Sequence, residues 1–291
     1  MSTPMLTPMP RKHQDLEQQM RALEYFHGLR LRPHAWPVVR VDGRSFSRLT
    51  AARFAKPFDE RFHTLMVETA TALLGELGGL FAYTESDEIS VLLDRDFDLF
   101  DRELEKLVSV SAGMASAAFT AAAGFPAHFD SRVWLGASDD LARAYFHWRQ
   151  DDAGRCALNG WCYWTLRQEG QSAREATRAL EGATVEHKHE LLFARGINYA
   201  ALPAWQRRGI GLRWETYEKA GYNPKTGQTV TATRRRVGLV DPLPRKDEYD
   251  TLLREILAGA RARAASAPAG PADRTEAEPA RARRRRVRAS V

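Results

Sequence analysis

Two apolar runs in the first part of the chain each lead into an acidic turn. Residues 37–41, rich in valine, end at Asp42-Gly43, and residues 80–83 lead into a turn that contains Asp87. β-Branched and aromatic residues bounded by Pro, Gly and Asp are typical of strands. The pattern therefore predicts two strands whose ends present aspartates.

The remaining hydrophobic pattern predicts an alternation of helices and strands. Apolar residues at three- and four-residue spacing predict helices over residues 16–29, 56–77, 98–123, 139–150, 157–168, 173–181 and 185–193. Strands are predicted over residues 37–41, 80–83, 89–93, 132–135, 209–216 and 229–237. The first strands and helices follow the order β-α-β-β-α-β of the ferredoxin-like split unit. The predicted fold class is α+β, with helical additions and a β-hairpin arm formed by the last two strands.

The same pattern divides the chain into four parts. We predict a helical lead-in (1–24), a central domain (25–240), a helical extension (241–258) and an Ala/Pro/Arg-rich tail (259–291) that cannot form a packed core. Six of the 43 lysines and arginines lie after residue 280, where there is no acid, and the other 37 equal the 37 aspartates and glutamates. The body is therefore neutral, and the tail is either a salt-sensitive RNA contact or a solvated segment.

Composition narrows the class of protein. The chain has 291 residues, 44% of them hydrophobic, which is enough for one large or two modest domains. No apolar run approaches the ~20 residues of a membrane span, so a cytoplasmic protein without a membrane partner is expected. Cys156 and Cys162 lie six positions apart in a predicted helix. They point to different faces, which excludes a disulfide between them.

The residue types at the two turns favour nucleotide chemistry. Transfer of a nucleotidyl group uses carboxylates that hold two magnesium ions, and Asp42 and Asp87 are the candidates. The Gly43 carbonyl is a further ligand candidate, and the amides that follow it could cradle a triphosphate. Arg40, Arg44 and Lys56 would neutralise phosphate charge. Alone, each turn is more often an ordinary strand end or hairpin tip; together they favour the metal site.

Other residues have less distinctive patterns. Four tryptophans are predicted to pack in the core: Trp134, Trp148, Trp161 and Trp164. His187 and His189 are two apart on a helix and face different directions, so they do not indicate a metal pair. Arg207-Arg208 and the run 234–236 could follow an RNA phosphate backbone.

Several short motifs occur in a fixed order between about residues 25 and 236. They are Val38-Val39-Arg40-Val41-Asp42-Gly43-Arg44-x-Phe46, Phe54-Ala55-Lys56-Pro57, Tyr83-x-x-Ser86-Asp87-Glu88, Trp148-Arg149-Gln150, His187-Lys188-x-Glu190-x-Leu192-Phe193 and Ile197-Asn198-Tyr199. Together they resemble the histidine-tRNA guanylyltransferase family. The resemblance implies an enzyme with a polymerase-palm-like domain that adds nucleotides to the 5′ end of tRNA, opposite in direction to ordinary polymerases.

The resemblance also implies residue roles. Two Mg²⁺ ions would be bound by Asp42, Gly43 and Asp87, with Glu88 as a further catalytic residue. The nucleotide-binding residues would be Arg40, Asp42, Gly43, Arg44, Ser45, Phe46, Ser47, Lys56, Ser86 and Asp87. A tRNA or activation site would include Asp59, Lys188, Glu190 and Asn198. The implied reaction uses ATP to activate a 5′-monophosphate tRNA and the 3′-hydroxyl of GTP to attack it, and the implied assembly is a homo-tetramer.

Two positions depart from the family pattern. Gly154 occupies the position of a histidine in the eukaryotic motif, and Ser47 replaces another common histidine. The first departure favours the bacterial and archaeal branch, which is associated with tRNA 5′-end repair. Three alternatives stay open at this point: strict guanylation of histidine tRNA, a palm-fold enzyme acting on free nucleotides, and a catalytically inactive tRNA-binding protein.

Overall fold

The computed structural model describes residues 11–24, 27–223 and 227–266. Its helices are α1 (Arg11–Ala22), α2 (Phe46–Arg53), α3 (Glu60–Glu76), α4 (Leu104–Ala123), α5 (Asp139–Gln168), α6 (Ala173–Leu180), α7 (Val185–Phe193), α8 (Ala204–Arg208) and α9 (Lys246–Ser266), with 3₁₀ turns at Leu99–Arg102 and Tyr199–Ala201. Its strands are β1 (Trp36–Gly43), β2 (Phe81–Glu85), β3 (Glu88–Leu92), β4 (Phe129–Gly136), β5 (Ile210–Asn223) and β6 (Gln228–Val240). The predicted lead-in before residue 11 and the predicted tail beyond residue 266 lie outside the described residues.

One antiparallel sheet organises the protein. Its six strands lie in the order β4-β1-β3-β2-β5-β6, and each neighbouring pair is antiparallel. All six correspond to predicted strands, and the predicted α+β class is confirmed. The last two strands form a hairpin that continues well beyond the edge where β5 pairs with β2.

Helices cover both faces of the sheet. Val39, Val41 and Ile89 belong to a core shared with α3 and α4. Trp36 and Val38 belong to a second core shared with α5 and α9. Side chains alternate along a strand, so Arg40 and Asp42 point to the same face of β1 as Trp36 and Val38, which is the face toward α5.

Helix α4 packs against the sheet although it is long and apolar. It spans 20 residues, and by length and composition it could cross a membrane. Its buried residues are Leu107, Ser111, Ala115 and Phe119, and the Ser111 hydroxyl lies 2.7 Å from that of Ser131 on β4. These contacts give the apolar face a partner within the protein.

Several predicted helix boundaries were wrong. Helix α3 begins at Glu60 rather than at residue 56, because the Asp59 side chain accepts hydrogen bonds from the amides of Arg61 and Phe62 and caps it. Helix α4 begins at Leu104, after the 3₁₀ turn, rather than at residue 98. Helix α1 ends at Ala22 rather than at residue 29.

The helical additions also differ from the prediction. Residues 139–150 and 157–168, predicted as two helices, belong to a single 30-residue helix, α5, because Ala153, Ala157 and Leu158 continue its buried stripe. Helix α2 had not been predicted, and α9 runs to Ser266 rather than to residue 258.

Phe119 tests the core between α4 and the sheet. It is fully buried, and its ring lies 5.3 Å from that of Phe46 and 5.8 Å from that of Phe129. Phe119→Ala should lower the free energy of unfolding by about 3–5 kcal/mol, because it removes a packed ring and leaves a cavity. Urea unfolding measures the change. Phe193→Ala, the same change at a side chain that is 73% exposed, should stay within about 0.5 kcal/mol of wild type; equal losses would contradict the packing described.

Candidate active site

The two acidic turns meet at one end of the sheet. Asp42 on β1 is directly opposite Glu88 on β3 in the antiparallel register. The Gly43 amide donates a hydrogen bond of 3.0 Å to the carbonyl of Asp87 in the β2–β3 turn. Ser86, in the same turn, has a left-handed φ of 52°, which closes the hairpin within two residues. The side chains of Asp42, Asp87 and Glu88 thus share one edge of the sheet.

An arginine on α5 holds the third of these carboxylates. Arg149 donates from Nε to Glu88 Oε1 at 2.7 Å and from Nη2 to Oε2 at 2.8 Å. Arg40 Nε lies 3.8 Å from the same carboxylate. Glu88 is therefore oriented by a two-point contact that ties α5 to the sheet. The motif around Arg149 had been noted in the sequence, but it did not indicate this partner.

Trp148 lies beside this ion pair and faces solvent. Its side chain is 52% exposed, and the guanidinium carbons of Arg149 and Arg40 lie 4.6 and 5.7 Å from its ring centre. The prediction that Trp148 packs in the core was wrong, because its ring lies between solvent and the guanidinium groups of Arg40 and Arg149. Trp134, Trp161 and Trp164 are partly buried.

The acidic cluster carries repelling charges. Burial, and then the charge of Asp42, raise the pKa of Asp87 to about 6. Burial and the neighbouring charge of Asp130 raise the pKa of Asp42. Burial and the charges of Asp87 and Glu88 raise the pKa of Glu85 to about 8. A cation placed among these oxygens would offset the repulsion.

The carboxylates of Asp42 and Asp87 suit a magnesium ion that is also bound by phosphate and water. They do not form a site in which the protein alone supplies every ligand. Among the described residues, no group of three or more His, Cys, Asp and Glu side chains could hold a metal ion by itself. Magnesium is usually bound by one or two carboxylates, with phosphate oxygens and water completing the octahedron. Two partly buried aspartates on adjoining turns match that requirement.

The Gly43 turn is built around the ring of Phe46. A Cβ at Gly43 would lie 2.3 Å from Cγ of Phe46, so only glycine fits. The Arg44 amide donates to the carbonyl of His128 at 2.8 Å, and Ser45 has a left-handed φ of 62° just before α2. The amides at the start of α2 lack acceptors within the helix and are the ones suited to bind phosphate. The Gly43 and Arg44 amides are already used within the protein.

A cavity of about 220 Å³ opens beside these turns. Six predicted site residues line it: Phe46, Ser47, Lys56, Asp59, Ser86 and Asp87. Six further aromatic side chains, none of them a predicted site residue, also line it: Phe54, Phe58, Phe62, His63, Trp164 and Trp205. The His63 and Trp205 rings stack with centres 4.2 Å apart. Flat apolar walls beside amides and an ammonium group suit a nucleobase attached to phosphates.

Lys56 is positioned by its neighbours. Its Nζ donates to Thr50 Oγ1 at 2.6 Å and lies 5.6 Å from the ring centre of Trp164. Burial lowers the pKa of Lys56, and the charge of Asp87 opposes that change. Asp59 accepts from the Ala55 amide at 2.8 Å while it caps α3, so it holds the loop that carries Lys56.

The other predicted site residues lie outside this cavity. Arg40 contacts Glu88 and Trp148 on the α5 face, and Arg44 is exposed. Glu190 and Asn198 line a separate depression, where Asn198 Oδ1 accepts from the Ala200 amide at 3.1 Å. Lys188 lines a third cavity next to α8. The predicted residues therefore lie in three places: the cavity, the adjoining acidic end of the sheet with Asp42, Gly43 and Glu88, and a more distant surface.

The chain matches two family models in succession. Residues 17–137 match the model described as tRNAHis guanylyltransferase, and residues 140–248 match the Thg1 C terminal domain. A probable tRNA(His) guanylyltransferase from Dictyostelium discoideum is 33% identical over 235 residues, covering 76% of this chain and 91% of the relative. The tRNA(His) guanylyltransferase of Schizosaccharomyces pombe is 30% identical over 233 residues, covering 73% of this chain and 88% of the relative.

Solved structures show the same likeness. A bacterial tRNA(His) guanylyltransferase-like protein in complex with GTP superimposes with a TM-score of 0.64 at 27% identity, covering 84% of this chain and 98% of that one. A bacterial tRNA(His) guanylyltransferase-like protein in complex with ATP gives a TM-score of 0.65 at 26% identity, covering 83% and 99%.

Fold, site and matches together define a nucleotidyltransferase that acts on tRNA. Within that class, the chain belongs to the tRNA(His) guanylyltransferase family. The resemblance inferred from the ordered motifs is confirmed.

Substitution of Gly43 tests the close packing of the turn. Gly43→Ala should lower the free energy of unfolding by about 1–3 kcal/mol, because the added methyl group meets the Phe46 ring. Gly160→Ala is the matched control, since a Cβ there has no neighbour within 4 Å in the structure as described. In the interior of α5 it should be neutral or stabilising by up to about 1 kcal/mol. Similar effects at the two positions in urea unfolding would contradict the described turn.

The pH dependence of stability tests the burial of His63. Burial lowers its pKa below the ordinary value, although Asp241 and Glu60 oppose the change. Between those two pKa values the unfolded chain binds more protons, so His63 destabilises the fold as the pH falls. His63→Phe keeps a ring against Trp205 and removes this contribution. Its melting temperature should fall less than that of wild type between pH 8 and pH 5; parallel curves would show that His63 titrates normally.

Proposed function

We propose that this enzyme adds nucleotides to the 5′ end of tRNA in the 3′-to-5′ direction, using ATP for activation and GTP as the added nucleotide. The observation that carries the proposal is the meeting of the Asp42 and Asp87 turns, linked by the Gly43 amide, where Asp87 lines the cavity that also contains Lys56. The GTP and ATP complexes of bacterial guanylyltransferase-like proteins support nucleoside triphosphates as substrates.

The sheet topology supports a palm-like catalytic domain. Strands β4-β1-β3-β2 lie antiparallel, and the crossovers from β1 to β2 and from β3 to β4 place α3 and α4 on one face. This is the connectivity of the ferredoxin-like unit, here with α2 inserted before α3. The arrangement leaves the ends of β1 and β3 open, where the acidic turns lie.

Asp42, the Gly43 carbonyl and Asp87 would hold two Mg²⁺ ions. Bound there, the ions would supply Lewis acidity to the attacking oxygen and to the leaving group, which is pyrophosphate when ATP activates the tRNA 5′-phosphate and AMP when the 3′-hydroxyl of GTP attacks it. The chain's own contribution is positional. Arg149 keeps Glu88 beside this set, and the Gly43–Asp87 hydrogen bond keeps the two aspartates on adjoining turns.

The cavity residues would bind and orient the nucleotide. The amides at the start of α2 and the Lys56 ammonium group would face the phosphates, and Trp205 and His63 would contact the base or ribose. Asp59 would act indirectly, by holding the Lys56 loop. In the implied sequence of steps, ATP activates the 5′-monophosphate of tRNA and the 3′-hydroxyl of GTP then displaces the activating group.

Repair of truncated 5′ ends is the tRNA reaction that we favour. Gly154, at the position of the expected histidine, lies on α5 against the carbonyl of Arg207 and provides no side chain for a specific contact. Guanylation of histidine tRNA is the second candidate, supported by the names of the curated relatives. We also propose that the protein is cytoplasmic and forms a homo-tetramer. Light scattering of the purified protein measures its oligomeric state.

Removal of either aspartate tests the metal site. Asp42→Ala and Asp87→Ala should each reduce the labelling of 5′-monophosphate tRNA by GTP, ATP and Mg²⁺ at least about 10³-fold, since each removes a charge aimed at the reacting phosphates. EDTA should abolish the labelling. Asp140→Asn is the control, because the Asp140 side chain is 85% exposed at the far end of α5. Normal labelling by both alanine variants would overturn the assignment.

A comparison of two tRNAs distinguishes the candidate reactions. One substrate is a full-length histidine tRNA that lacks its extra 5′ guanosine, and the other is a tRNA truncated by one 5′ nucleotide. A higher kcat/KM for the truncated tRNA supports repair, and a higher value for the histidine tRNA supports guanylation. Absence of product from both would contradict the proposed function.

A further inference from the structure

A basic cavity lies on the other side of α8 from the nucleotide cavity. Its volume is about 380 Å³, and α5, α7, α8 and the segment before α9 line it. Five cationic side chains face it, against one acidic residue, Asp151: they are Arg155, Lys188, Arg207, Arg208 and Arg245. Since the chain up to residue 280 has equal numbers of basic and acidic side chains, this is a local concentration of positive charge.

Three of these arginines have no carboxylate partner. Within the described residues, Arg207, Arg208 and Arg245 make no ion pair within 4.0 Å. Arg207 Nε donates to the Leu202 carbonyl at 2.9 Å, whereas the Arg208 Nε is shielded from solvent without a hydrogen-bond acceptor. Burial and the charges of Arg207 and Arg245 lower the pKa of Arg208, while Asp241 and Glu248 exert a smaller opposing effect. An unpaired, partly buried guanidinium is unfavourable unless an anion binds to it. We call Arg207, Arg208 and Arg245 the arginine pocket.

Gly154 leaves the pocket open. It lies in the middle of α5, where glycine costs about 1 kcal/mol relative to alanine. A Cβ at this position would have the Arg207 carbonyl at 3.5 Å as its neighbour, which is an ordinary contact. An alanine would fit there, whereas a larger side chain would enter the space in front of the arginines. Glycine at this position therefore lowers the stability of the helix but leaves space for a ligand.

The pocket adjoins the catalytic carboxylates. Arg149, which holds Glu88, also lies 3.2 Å from Asp152, and Asp152 pairs with Arg155 at the pocket. Along α5, Arg149 and Gly154 are separated by a rise of roughly 7.5 Å. Helix α8 divides the two cavities, with Trp205 facing the nucleotide cavity and the arginines facing the other. An RNA strand whose end lies at the carboxylates could reach the pocket with a nearby phosphate.

We propose that the arginine pocket binds a backbone phosphate of the tRNA substrate close to its 5′ end. The inference rests on the proposed function for the identity of the RNA. A free nucleotide is the other source of the same phosphate chemistry. RNA is favoured because the nucleotide cavity has the stacked aromatic walls that suit a base, whereas five of the thirteen residues that line the basic cavity are cationic.

Binding measurements without turnover test the proposal. Fluorescence anisotropy of the full-length protein with labelled 5′-monophosphate tRNA should show about tenfold weaker binding for Arg208→Ala and for Arg245→Ala, as expected for loss of one charge-assisted contact. The slope of log affinity against log salt should fall by about one. Affinity for labelled GTP should not change. The control is Arg174→Ala, the same charge change at an exposed position on α6, which should bind tRNA like wild type.

A second pair of variants keeps every arginine. Gly154→Leu should weaken tRNA binding about tenfold by filling the pocket, and Gly154→Ala should not. This pair, with the exposed Arg245, tests the pocket even if Arg208→Ala fails to fold. Weaker GTP binding with unchanged tRNA affinity would identify a free nucleotide as the ligand and overturn the proposal. Unchanged affinity for both ligands would also overturn it.

The test separates this proposal from the proposed function. Wild-type protein that binds tRNA through the arginines but transfers no nucleotide would contradict the proposed function only. Protein that transfers nucleotides with an RNA affinity independent of the arginines would contradict the pocket only.

Discussion

The contact between the Phe46 ring and the backbone of Gly43 couples the active-site edge to the core. The ring occupies the space that a Cβ would need, and its other neighbours are Phe62, Phe119 and Phe129. The turn after β1 is therefore part of a close-packed interior and cannot move without disturbing it. From that turn the Gly43 amide reaches the Asp87 carbonyl, so the second acidic turn is held by the same packing.

Electrostatics sets the second constraint on this edge. The sheet brings carboxylates together at a partly buried place, where burial and mutual repulsion raise the pKa values of Asp42 and Asp87. Arg149 donates two hydrogen bonds to Glu88, and the charges of Arg132, Arg40 and Arg149 lower the pKa of Asp42 by less than burial and Asp130 raise it. The charges of Asp42 and Asp87 would be neutralised by a bound cation, which would in turn bind phosphate. A chain that places acidic groups in this way lowers its own stability at the position where it gains a ligand.

Helix α5 links the two parts of the surface. Its first half carries Arg149 to the carboxylates, and its second half carries Gly154 to the arginines of α8. The continuity matters because the positions on one helix keep a fixed spacing. Had α5 been two helices, as predicted from the sequence, the ion pairs from Glu88 through Asp152 to Arg155 would have had no common support.

The sequence by itself determined the strands, the α+β class, the family and the residues that form the acidic edge. The alternation within short apolar runs and the ordered motifs each depend on residues close together in the chain, so they can be recognised in the sequence alone. Tertiary structure decided what depends on distant segments: the stacking of Trp205 on His63, the exposure of Trp148, and the Arg208 Nε that lacks an acceptor in the described structure. Each of these is a relation between residues far apart in the chain, or between a residue and solvent. Side-chain pattern along one segment does not contain that information.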